Sequence, residues 1–147
     1  MVIAATYLLG ALHGCILAFV LAQKNVNRLP NKFLALLMAV FSVDLGMAAF
    51  QSFGLHEQYP HFIAIDYPVT LLYGPLLYLY VKTLRDGSTR ISGIDYLHFI
   101  PFVLLLIYLI PFYTGPASYK LALLNTTSSI QQIYYFGIIT HIKVLHG

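Results

Sequence analysis

Charge, cysteine and tryptophan are all scarce in this chain, and each shortage excludes something. Only 9% of its 147 residues are charged, against about 25% in ordinary globular proteins. Eight Lys and Arg with five Asp and Glu cannot cover the surface of a water-soluble domain of this size, so apolar side chains must face lipid. The single cysteine, Cys15, lies in an apolar run. That excludes an internal disulfide and a cysteine metal cluster. Tryptophan is absent, which leaves tyrosine to supply the aromatic belts at a membrane boundary. No basic segment precedes the first apolar run, Met1-Val2-Ile3-Ala4-Ala5. That run reaches Ala22 and, at about 20 residues, is too long for the core of a signal peptide; it reads as a retained first span. No nucleophile-and-base pattern, glycine-rich phosphate loop or zinc-protease motif occurs, so neither an enzyme nor a cofactor is expected.

What the chain does contain is apolar: 59% of its residues, with a mean hydropathy of +0.78. The fold class expected is an all-α polytopic membrane bundle of about five transmembrane helices, near 2–22, 33–55, 68–84, 95–113 and 130–146. The stretch from Asp66 to Arg85 is representative. It runs through apolar and aromatic positions, is interrupted at Gly74-Pro75, and meets Lys82 and Arg85 only at its end. Pro75 should kink this helix and free the carbonyl near Leu71. Asp66 suits its cap, and Pro68 its first turn. Asn31 suits the cap of the second span. Ser92 with Asp95 fits a capping box opening the fourth, in which Pro101 reads as a kink and Pro111 as an end.

The net charge of +3 does not indicate nucleic acid, because the basic residues sit at helix ends rather than on one patch. They report topology. The first inter-span loop holds Lys24, Arg28 and Lys32, the third Lys82, Arg85 and Arg90; the second holds none and the fourth only Lys120. By the positive-inside rule the N-terminus is outside, loops one and three are cytoplasmic, and a fifth span ends inside.

Small residues mark close helix contacts: Gly10 and Gly14 in the first span, and Ala35, Ala39, Ser42, Gly46 and Ala49 in the second. Such faces also suit a homodimer through membrane helices. Ionisable residues inside spans are costly and are candidates for function. Asp44 lies roughly 18 Å and His13 roughly 14 Å from the ends of their helices at 1.5 Å per residue. A His13–Asp44 pair across the first hairpin is therefore expected, either as a polar switch or as a bond that fixes helix register. Asp95 and His98 share a helix face and read as anchors of the fourth span or members of a signal relay. His141 in the fifth span can face the same interior, while His56 and His61 in the second loop read as solvated. A metal site from His13, His98 and His141 would need three helices to converge at one depth, and none is expected. Tyr73, Tyr78, Tyr80, Tyr108, Tyr134 and Tyr135 read as belt and packing residues, or as the lining of an amphipathic ligand pocket.

Four segments in this order carry a resemblance: Leu9-Gly10-Ala11-Leu12-His13-Gly14, Asn27-Arg28-Leu29-Pro30-Asn31-Lys32-Phe33-Leu34-Ala35-Leu36-Leu37, Tyr73-Gly74-Pro75-Leu76-Leu77-Tyr78-Leu79-Tyr80-Val81-Lys82 and Leu97-His98-Phe99-Ile100-Pro101-Phe102. Together with Gln131-Gln132-Ile133-Tyr134-Tyr135 they resemble the N-terminal membrane region of the AraC-type helix-turn-helix transcription regulators common in Bacteroidetes. The resemblance covers the chain to about Thr140. It implies a sensor or anchor in the bacterial inner membrane, followed by a cytoplasmic DNA-binding domain. No helix-turn-helix occurs here, so DNA would be reached only through a C-terminal domain outside these residues. Lys143, where a longer span would still be apolar, reads as a sign that the chain is a fragment. The sensory membrane half of a histidine kinase and a small transporter or channel subunit are the competing readings. The resemblance transfers no ligand and no site residues.

Overall fold

The computed structural model of the chain describes residues 1–87, 91–118 and 120, and every regular element among them is helical. Helix α1 (Val2–Gln23) runs through the first apolar segment and stops where the chain turns polar. Asn27, in the left-handed region at φ 50°, turns the chain into α2 (Arg28–Ser52). This helix starts several residues before the expected one. Pro30 fits the first turn, where no backbone N–H is needed. Asn31 does not cap α2; from inside the first turn its side-chain amide donates to the Val26 carbonyl at 2.7 Å. Past Ser52, Gly54 adopts φ 73° and redirects the chain into the short α3 (Leu55–Gln58), then a 3-10 turn at Pro60–Phe62.

The stretch expected as one kinked helix is two. Helix α4 (Asp66–Thr70) closes with 3-10-type bonds from Leu71 N to Pro68 O (3.1 Å) and Leu72 N to Val69 O (3.0 Å). Helix α5 (Tyr73–Asp86) then starts afresh, and the pair is bent by 40°. Pro75 is the third residue of α5, where its missing N–H interrupts nothing; the break lies at Leu71–Leu72, ahead of the proline. Asp66 likewise is the first helical residue and not the cap, which is Ile65. The Ser92–Asp95 capping box is formed, and opens a 3-10 segment, Gly93–Phe99. That segment continues into α6 (Ile100–Thr114), with Pro101 in its first turn and Pro111 accommodated inside the helix. Pro101 thus lies where the chain passes from 3-10 to α-helix, at the start of the α-helical turns.

Among the described residues three helical stretches are long and apolar enough to cross a membrane: Val2–Gln23, Arg28–Ser52 and Gly93–Thr114. The bent pair Pro60–Thr70 and Tyr73–Asp86 makes a fourth if it is one span. A helix of 22 residues is about 33 Å long, which matches a bilayer's hydrocarbon core. The expected fifth span at 130–146, with His141, lies outside the described residues.

Helix α2 is the centre of the packing, with α1 on one side and α4 and α5 on another. Against α1 it presents its small residues: Ala35, Ser42 and Ala49 are buried. Gly10 and Gly14 receive this face. A methyl group added at Gly10 would meet Leu45 Cδ1 at 3.0 Å, and one added at Gly14 would collide with the Ser42 hydroxyl. The third expected packing glycine, Gly46, has open space around it and makes no close approach. Towards α5, α2 presents large residues, and Phe33, Leu37 and Val40 form the core with Leu76 and Leu79. The remaining faces are apolar and uncovered. Leu9, Ile16 and Phe19 on α1 are 61–67% exposed, and no residue of α6 is buried. Such faces are stable only against lipid or another apolar helix.

This arrangement sets the cost of filling each glycine. Gly14→Val should destabilise the α1–α2 hairpin by ~1–3 kcal/mol through overpacking. Gly46→Ala should be neutral or stabilising by up to ~1 kcal/mol, because it adds helix propensity in open space. Thermal loss of helical circular dichroism in detergent reads both.

Candidate functional site

The break between α4 and α5 places Tyr73 at the first turn of α5, beside the middle of α2. Its hydroxyl donates to Asp44 Oδ2, and its ring lies 4.6 Å from that of Phe41 at 33°. Asp44 therefore finds its partner on α5, not on α1. His13 is on the exposed side of α1, so the structure does not bring the expected His13–Asp44 pair together. The reason is rotational. Gly10 and Gly14 face α2, and at 100° per residue His13, between them in sequence, faces elsewhere.

The other carboxylate oxygen, Asp44 Oδ1, is buried without a hydrogen-bond partner, as is Asp66 Oδ1 at the start of α4. Asp66 is close enough to Asp44 to feel its charge. Asp44 and Tyr73 thus meet where α2 and the start of α5 come together, with Asp66 of α4 within electrostatic reach.

A second polar junction joins the far end of α5 to the start of the α6 segment. Lys82 Nζ reaches both oxygens of Asp95, at 2.7 and 2.8 Å, and the Ser92 N–H donates to Asp95 Oδ2 at 2.9 Å. Asp95 is 2% exposed. Tyr78 lies below this pair, with its ring 5.8 Å from Lys82 Nζ and 4.6 Å from the ring of His98. Asp95 and His98 both anchor this segment, one by charge and one by ring contact. Because Tyr73 is level with Asp44 and α5 runs antiparallel to α2, Lys82 and Arg85 lie at the end of the bundle that carries Lys24, Arg28 and Lys32.

Among the described residues no group of three His, Cys, Asp or Glu side chains is placed to hold a metal ion. His56 Nδ1, expected in solvent, is buried and unpartnered. Tyr73 and Lys82 carry the two junctions, and the sequence reading had neither in that role. Lys82 and Asp95 could have been found as opposite charges on the two sides of one short turn. Tyr73 could have been found by measuring the depth of Asp44 against span three as well as span one.

The Tyr73 bond is open to direct measurement. Tyr73→Phe should cost about 0.5–1.7 kcal/mol of stability in detergent, the range measured for interhelical hydrogen bonds in membrane proteins. Tyr73→Phe combined with Asp44→Leu should cost less than the two single changes added, since the pair is lost together. His13→Ala should add its own effect independently to either.

The sequence matches no protein-family model, and neither curated proteins nor solved structures yield a match.

Proposed function

We propose that this chain is the membrane-embedded sensor and anchor portion of a one-component transcription regulator, sited in a bacterial cytoplasmic membrane. In this reading it relays an envelope or membrane signal to a cytoplasmic DNA-binding domain outside these residues. The N-terminus is outside and the end carrying Lys24, Arg28, Lys82 and Arg85 is inside.

The observation that carries the reading is the construction of α5. It is a rigid helix of 14 residues, separated from α4 by a break and held by one polar contact near each end, Tyr73–Asp44 and Lys82–Asp95. A signal that protonates, binds or displaces Asp44 changes the first contact. The break allows α5 to tilt, and the tilt reaches the second contact at the positively charged end, where an output domain would attach. A relay needs two discrete arrangements of packed elements, and a helix with a breakable polar contact near each end is suited to switching between two.

The full-length gene product with a promoter reporter tests this. Tyr73→Phe and Asp44→Asn should shift basal output several-fold in the same direction, and Lys82→Met should uncouple output from the signal. Unchanged output from all three, with the protein still in the membrane, would overturn the relay. A coding sequence that continues into a kinase domain would assign the same membrane device to a histidine kinase.

One observation favours a transporter instead: the unpartnered carboxylate oxygen of Asp44 beside a broken helix. In that case the chain in proteoliposomes would support proton-coupled flux that Asp44→Asn abolishes.

A further inference from the structure

Lys120 is the most completely buried charged residue among those described, at 1% exposed. Its ammonium donates to the Tyr113 carbonyl at 3.0 Å, lies 3.3 Å from His61 Nδ1, and sits 5.4 Å from the centre of the Phe112 ring. No carboxylate is within ion-pairing distance among the described residues. Asp66, near enough to Tyr113 to act on it electrostatically, forms no ion pair with Lys120. A buried ammonium with neutral partners alone is an unbalanced charge, and balancing it calls for an anion.

Immediately beside this group is a cavity of about 370 Å³ between α4 and α6, lined by His61, Ile65, Pro68, Val69, Phe102, Leu106 and Tyr113. Its body is apolar. Its polar residues, His61 and Tyr113, are the same two that hold Lys120. Tyr113 also fixes the rim, for its hydroxyl donates to the Ala64 carbonyl at 2.8 Å, where Ala64 is held at φ 65°. The volume is at the lower end of the range for small-molecule sites, which suits one hydrocarbon chain better than two.

We propose that this cavity binds a single-chain amphiphile with a carboxylate head, its chain against Val69, Phe102 and Leu106 and its head on the exposed ring of His61, with the Lys120 ammonium buried directly behind that ring supplying the balancing charge. The donor set fits. With Nδ1 turned to the ammonium, the Nε2 side of the exposed His61 ring offers a donor to a carboxylate. Such a molecule also reaches the site in its natural orientation, with its head at the membrane boundary and its chain within the bilayer. The inference concerns binding alone and stands whether or not the chain relays a signal.

The test is photo-labelling of the full chain in lipid nanodiscs with a diazirine-bearing palmitate, mapped by mass spectrometry. Labels should concentrate on Val69, Phe102 and Leu106. Unlabelled palmitate should compete at least tenfold better than hexadecanol, which has the chain without the charge. Inorganic phosphate and acetate should not compete, since they lack the chain. Lys120→Met should reduce labelling at least fivefold, Lys120→Arg should retain it, and Val69→Phe should reduce it by filling the cavity. If Lys120→Met does not fold, the acid-against-alcohol comparison on the unaltered chain decides the matter. Equal competition by palmitate and hexadecanol, or labels spread evenly over α1 and α6, would mean ordinary boundary lipid and overturn the site. Competition by lysophosphatidate but not palmitate would overturn the carboxylate.

Discussion

In a bilayer, an apolar side chain gains nothing by leaving lipid for another helix, so helices are held together by close fit and by satisfied polar groups. Helix α2 meets both requirements, on different faces. Its small face lets α1 approach until Gly14 is against Ser42, and its large face packs Phe33, Leu37 and Val40 on Leu76 and Leu79. Asp44 on the same helix supplies the polar contact, to Tyr73. The rest of the described bundle is attached through these surfaces: α4 and α5 to α2, and α6 to α4 and to the segment held by Asp95.

Among the described residues the polar contacts between elements are few, and these three are placed where the chain changes direction. Tyr73–Asp44 stands at the break between α4 and α5. Lys82–Asp95 stands at the turn between α5 and α6. Lys120, Tyr113 and His61 join the segment after α6 to the loop before α4. Each is a place where the backbone cannot satisfy itself through a continuous helix, so side chains fix the geometry. These are also the places where a proton, an ion or an anionic ligand can act on the fold, because an unbalanced group in low dielectric responds strongly to a new partner.

Much of the architecture is legible in the residues. The apolar runs locate the helices to within a few residues, the Ser92–Asp95 capping box is formed as its spacing indicates, and Gly10 and Gly14 face a small-residue stripe. The prolines were harder. Pro75 and Pro101 were expected to kink helices, yet both lie in first turns, where proline costs no hydrogen bond. Sequence shows that a helix will break near a proline; on which side depends on whether the next turn can be nucleated after it, and at Leu71–Leu72 it was.

Composition and pattern alone determined the helical class, helices long and apolar enough to cross a membrane, and the clustering of positive charge at helix ends, since each depends on local residue type and period. Only the tertiary structure decided which polar groups meet. Asp44 had a plausible partner in His13 by depth, but partner choice depends on helix rotation and on which third helix packs alongside. Those follow from the summed fit of many apolar contacts, a property that no single residue carries. The same holds for Lys120, an unremarkable loop cation in the sequence that becomes a buried charge beside an apolar cavity once α4 and α6 are brought together.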